Sequence, residues 1–122
     1  MITGVSLSQT KDYISKFDKG EPKTVWKIGT LDSDIFDLLG EYTHNSFKMM
    51  SEAIRFGLKG FENFKDSLGN PVAFNTVSRA VGSYNYQVVI DNIMKIIPQE
   101  VKIELGNEIL TLTKLSSEET KN

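Results

Sequence analysis

The chain has 122 residues, 39% of them hydrophobic, which suits one domain built on a single core. Fourteen basic against sixteen acidic residues leave a net charge of −2, too weak a field to mark a nucleic-acid or anionic-membrane binder. The lack of cysteine excludes disulfides, thiolate zinc sites and thiol catalysis, and no apolar run approaches the ~20 residues that span a bilayer.

The opening MITGVSLSQTKDY shows no basic segment followed by an apolar run, so no leader is read and a soluble cytoplasmic protein is expected. Ser8 suits a helix N-cap before QTKDYISKF, a short helix that would place Ile14 and Phe17 on one side, with Tyr13 nearby. Residues 18–22, DKGEP, end it as a charged connector. Residues 24–31, TVWKIGTL, form the best strand candidate, with Trp26 and Ile28 on one face and Val25 and Leu31 on the other. Asp32 can cap a second short helix, SDIFDLL, which Gly40 closes.

Over residues 43–59 the spacing of Phe47, Met50, Ile54, Leu58 and Phe61 predicts a long central helix, with Lys48, Glu52, Arg55 and Lys59 on the opposite side. Gly69-Asn70-Pro71 reads as a turn, followed by a short extended piece, Val72-Ala73-Phe74. Ser83 suits the N-cap of a helix reaching Ile97, lined by Tyr86, Val89, Ile90, Ile93 and Ile97. Pro98 suits the first position of the next helix, whose apolar line is Val101, Leu105, Ile109 and Leu112. Together these elements predict an α+β domain, predominantly helical, over residues 1–115. Its parts are one long central helix, a C-terminal helix pair joined at Pro98 and a small β element, with residues 116–122 as a polar tail. Within the tail, Ser116 and Glu119 read as a capping box opening a further helix.

The motifs of catalysis and cofactor binding fail on spacing. Gly57 and Gly60 stand three positions apart with no Lys-Ser/Thr pair after them, so they make no phosphate loop; Gly57 is read as permitting close packing and Gly60 as ending the helix. His44 is the only histidine and reads as a surface residue at a helix start. Asp32, Asp34 and Asp37 begin like a calcium loop, but Ile35 and Phe36 stand where ligands and glycine are required, so they are read as negative charge at a helix N-terminus. Gly82-Ser83 lacks the second glycine of a nucleophile elbow. No catalytic, cofactor-binding or metal-binding residue is assigned, and an enzyme is not expected.

Contact surfaces fare better. Arg55, Lys59 and Lys65 interleave with Phe56, Phe61 and Phe64 in a pattern that suits stacking plus phosphate contact, although Glu62 and Asp66 lie among them and Phe61 belongs to the apolar stripe. Trp26 reads as a core anchor for its strand, and Tyr84 and Tyr86 mark either a partner surface or helix-end packing.

The succession PKTVWKIGTL, RFGLKGFENFKDSLGNPVAF, IPQEVKIEL and LSSEETKN resembles small proteins encoded in tailed-bacteriophage structural gene clusters. Its closing pattern is similar to the ends of tail-assembly chaperones and virion accessory proteins. The resemblance implies a non-enzymatic morphogenesis role by protein–protein contact, with a tape-measure, tail or capsid protein as partner, in the host cytoplasm or in the virion. It transfers no catalytic residue and no cofactor, and it leaves a homo-oligomer open. The residues expected to make the contact are Arg55, Phe56, Lys59, Phe64, Tyr84 and Leu115. A phage inhibitor of a host defence or transcription protein, and a nucleic-acid-binding accessory protein, are the rival readings.

Overall fold

Strand β1 (Thr10–Tyr13) is followed by a loop and then by β2 (Val25–Gly29), which lies between β1 and β3 (Leu58–Glu62) in an antiparallel sheet. Helix α1 (Ser33–Leu39) and a 3-10 turn (Gly40–Tyr42) lead from β2 to α2 (Ser46–Gly57), which runs directly into β3. A hairpin of β4 (Thr76–Val81) and β5 (Tyr84–Val89) forms a second sheet, and α3 (Asp91–Ile96) and α4 (Gln99–Glu119) complete the chain. The structure is a computed structural model that describes residues 1–2 and 7–119, the last four as backbone alone.

Strand β2 forms where its β-branched and aromatic residues predict it. Trp26 and Ile28 point into the core, 3% and 0% exposed. Lys27 faces outward between Asp12 of β1, at 3.1 Å, and Glu62 of β3, at 3.8 Å. The alternation of the sequence therefore becomes one buried and one charged face. Helix α1 also forms as its caps predict: Asp32 accepts a hydrogen bond from the Ile35 N–H at 2.9 Å, and Gly40 closes the last turn.

The expectation of a predominantly helical chain with one long central helix is overturned. Among the described residues there are four α-helices and five strands in two antiparallel sheets, and α2 has only 12 residues. The longest helix is the C-terminal α4, 21 residues or about 30 Å. Helix α2 stops early because Leu58 and Phe61, which extend its apparent 3.6-residue stripe, belong instead to β3 opposite Ile28 and Trp26. Gly60 therefore lies inside a strand, facing Lys27, and does not end a helix. The buried face of α2 is also rotated from the predicted one. Glu52, Ala53, Ile54, Phe56 and Gly57 are inside, whereas Phe47 is exposed.

Two further segments change class. QTKDYISKF contains β1 and no helix: residues 10–13 pair with residues 29–26 of β2, so a sheet partner overrides local helical pattern. Ser83 opens no helix either. Gly82, at φ +61°, and Ser83 form the two-residue turn between Val81 and Tyr84, with glycine at the first central position, where L side chains are strained. The helix expected from Ser83 starts only at Asp91. The apolar residues assigned to it still fill the core, since Val89, Ile93 and Ile97 are all buried.

The helix after Pro98 forms as predicted, with Val101, Leu105 and Ile109 buried and Leu112 packed against the core. Pro98 sits just before it and its carbonyl accepts the Lys102 N–H at 2.9 Å. Helix α4 lies along α2 at a distance set by two glycines. A Cβ on Gly57 would come within 2.6 Å of Ile109 Cγ2, and one on Gly106 within 2.9 Å of Met50 Cα. The expectation that Gly57 permits close packing is met. Thr113 ties α4 to the end of β2 by accepting the Leu31 N–H at 3.0 Å. The backbone of α4 remains helical past Ser116 to Glu119, so no new helix begins there; residues 120–122 of the expected tail lie outside the described residues.

Candidate functional site

The loop of residues 14–24 is organised by two carboxylates. Glu104, on α4, accepts the Tyr13 hydroxyl at 2.7 Å, the Ser15 hydroxyl at 2.5 Å and the Lys16 N–H at 2.9 Å. Burial pushes the Glu104 carboxyl up, but the Ser15, Lys16 and Tyr13 donors together outweigh it and hold it below the ordinary glutamate range. The same arrangement pushes the Tyr13 hydroxyl far above its usual range, first through burial and then through the Glu104 carboxylate. Asp18 closes the loop by accepting the Thr24 N–H at 2.8 Å and the Gly20 N–H at 3.0 Å, bonds that lower its own pKa.

Fixed this way, the loop presents Phe17 to solvent, 47% exposed, with the Lys16 ammonium 5.4 Å from the ring centre. A cleft opens on each side of Phe17. One, of about 370 Å³, runs along α4 past Ile103, Glu104 and Glu108; the other, of about 280 Å³, is floored by Trp26, Phe64 and Val101. Glu100 lines both. Glu100, Glu104 and Glu108 stand four residues apart on one face of α4, and Asp18 adds a fourth carboxylate. Glu104 accepts from three donors and Glu108 is 3.9 Å from Lys11, whereas Glu100 makes no ion pair among the described residues. The surface thus joins an aromatic floor to a rim in which carboxylates outnumber the one lysine, Lys16.

A smaller cleft of about 250 Å³ lies beneath α1, lined by Leu31, Ile35, Phe56, Asp32, Lys59 and Tyr86. The Tyr86 hydroxyl donates to Asp32 at 2.8 Å, and its pKa is pushed up to about 12 by that bond and by partial burial.

The six residues expected to make contact are not brought together. Phe56 is buried at 4% exposure, edge-on to Tyr86 and beneath the Arg79 guanidinium, so it is a core residue and not a surface anchor. Arg55 is engaged by Asp91 at 2.7 Å and by the Val89 carbonyl at 3.2 Å. Phe64 packs against Trp26 and Phe61 and lines the Phe17 cleft. Lys59 lines the cleft beneath α1, Tyr84 stands exposed at the hairpin tip, and Leu115 is exposed near the end of α4. The stacking surface of Arg55, Lys59 and Lys65 with Phe56, Phe61 and Phe64 is likewise not assembled, because Phe56 is buried and the other two rings pack with Trp26.

Sequence reasoning passed over Phe17, Tyr13, Ser15 and Glu104. A usable signal was present for Phe17: an apolar ring directly before the turn-rich DKGEP is a loop residue once the preceding segment is extended. Glu104 offered none, since its donors lie about ninety positions away. Among the described residues no group of three or more His, Cys, Asp or Glu is placed to hold a metal ion, and no helix is long and apolar enough to cross a membrane. Comparison with protein-family models, with curated proteins and with solved structures finds no match to this chain.

Proposed function

We propose that this chain is a non-enzymatic protein-docking domain of tailed-phage particle assembly. Its docking face is the surface around Phe17, and its partner is a virion, tail or tape-measure protein that presents apolar and basic residues together. The observation that carries the docking face is a half-exposed aromatic ring between two clefts, one floored by Trp26 and Phe64 and both rimmed by Glu100, which makes no ion pair among the described residues. Exposed aromatics over concave apolar floors are the anchors of protein interfaces, and an acidic rim selects a basic counterpart. The phage context rests on the sequence resemblance alone.

The test is recovery of tagged protein from infected cells, followed by identification of what accompanies it. A tail, tape-measure or capsid protein is expected with the wild type, and Phe17→Ser combined with Glu100→Lys should release it while leaving the far-UV circular dichroism unchanged. Recovery of a host protein instead would move the reading to the inhibitor class. Retention of the partner by the double variant would remove the Phe17 surface from it.

A further inference from the structure

Strand β4 has one side paired with β5 and the other side open. The two-residue turn at Gly82-Ser83 makes Val81 and Tyr84 a hydrogen-bonded pair, so bonded and non-bonded pairs alternate back along the hairpin. The Ile90 N–H, donating to the Asn75 carbonyl at 3.3 Å, continues that alternation past the start of β4. Thr76, Ser78 and Ala80 therefore aim their main-chain groups away from β5. The Thr76 N–H is taken by Asn75 Oδ1 at 2.9 Å, whereas Ser78 and Ala80 have no other main-chain partner among the described residues. Both are exposed, and β5 is the only described element packed closely along β4.

Open strand edges are ordinarily guarded by charge, and the other edges here follow that rule. Strand β1 carries Lys11 and Asp12, β3 carries Lys59 and Glu62, and the Val89 carbonyl of β5 is covered by Arg55. On β4 the one charged residue, Arg79, turns inward to Glu52 at 2.8 Å. No proline, glycine or bulge interrupts TVSRAV, and its register with β5 is regular over all six pairs. Val77, on the same face as Arg79, is left 53% exposed.

We infer that β4 pairs antiparallel with β4 of a second copy of this chain, about a two-fold axis through Ser78, joining two hairpins into one four-stranded sheet. An axis normal to the sheet keeps the inward faces continuous and allows only registers centred on a residue. Centring on Arg79 sets like charges opposite each other, and centring on Val77 leaves Ala80 beyond the end of the facing strand. Centring on Ser78 uses every open donor. Ser78 exchanges main-chain bonds with the partner's Ser78, and the Ala80 N–H donates to the partner's Thr76 carbonyl. Val77 then lies against the stem of the partner's Arg79. This self-complementarity selects a second copy as the occupant, and a third and fourth strand supply what a lone hairpin lacks. Six paired residues a side bury less than the ~1,200 Å² of a standard interface, so the dimer is weak and forms with concentration.

The chain has no cysteine, so one introduced at position 78 reports the axis directly. The Cα atoms of a hydrogen-bonded pair lie about 5.5 Å apart, within disulfide reach. Purified Ser78→Cys is expected to oxidise to a covalent dimer several-fold faster than Ser67→Cys, which is exposed in the turn after β3. Sedimentation equilibrium of the wild type should show a dimer fraction that grows up to about 1 mM. Ser78→Lys opposes two like charges and should weaken the dimer several-fold with the far-UV circular dichroism unchanged; mixing it with Ser78→Glu should restore pairing. A wild type that stays monomeric at that concentration, equal oxidation of the two cysteine variants, or no recovery in the mixture would overturn the inference. So would loss from Ser78→Lys of a different protein recovered from infected cells, since the edge would then belong to another chain.

Discussion

Glu104 is a carboxylate that works by accepting hydrogen bonds and not by pairing with a cation. Its three donors come from β1 and the loop after it, so protonation weakens the contact between that edge and α4. Because its folded pKa lies below the ordinary 4.5, its stabilisation is complete above that value and is lost as pH falls through the folded pKa. Urea titrations from pH 3 to 7 should show stability rising with pH through this window and then levelling. Glu104→Gln should be less stable by about 1–2 kcal/mol at pH 7, with the gap closing in acid. Gly106 works by absence. Alanine there gains about 1 kcal/mol of helix propensity but must displace Met50 backbone, so overpacking of about 1–3 kcal/mol wins. The expected net loss for Gly106→Ala is up to about 2 kcal/mol, readable in the urea midpoint at unchanged slope.

Among the elements, the β4–β5 hairpin is the least self-sufficient, because two strands alone are marginal in water. It is held to α2 by a buried carboxylate: Glu52, 4% exposed, receives Arg79 of β4 at 2.8 Å, with Lys48 and Arg55 at 3.5 and 3.7 Å. Arg79 also stacks over Phe56. Arg79→Ala removes both contacts at once and should cost about 1–3 kcal/mol. Amide exchange in residues 76–89 should quicken more than in α4, since the hairpin loses its clamp while the α2–α4 seam keeps its own. The hairpin was partly legible. TVSRAV and YNYQVV are both β-rich and are separated by Gly-Ser, a recognised two-residue turn. The competing signal was the helical spacing of Tyr86, Val89, Ile90, Ile93 and Ile97, which spans a strand and a helix that happen to share one buried side. Short apolar runs are ambiguous between the two periods, and here length misled.

At the scale of the whole molecule, the proposed docking face is assembled from the loop after β1, the start of α4, β2 and Phe64. Its acidic rim makes a specific demand on any partner: association should weaken as salt rises from low to physiological strength, most steeply in the on-rate. Trp26 is the only tryptophan and floors one cleft, so its fluorescence reports occupation directly. A flat salt response with a persistent fluorescence change would leave an apolar interface without electrostatic selection. Glu100→Lys alone should slow association and lower the thermal midpoint by about 1–5 degrees, because a cation replaces an acidic residue favoured in the first turn of α4.

Read without coordinates, the chain discloses β2, α1 with both caps, the α4 core line and the turn at Gly69, because each depends on contacts within a few residues. The close-packing role of Gly57 is legible as a helical glycine, although the residue it makes room for, Ile109, lies on α4. Where α2 ends, which side of it is buried and whether residues 10–13 are helix or strand are decided elsewhere. They depend on β2 offering open edges to β1 and β3, on Glu52 finding Arg79, and on Glu104 finding Tyr13 and Ser15. Those partners lie from 13 to 91 positions apart, so a window of a few residues never contains both halves of the interaction. The tertiary structure thus scatters the expected contact residues and gathers a different set around Phe17.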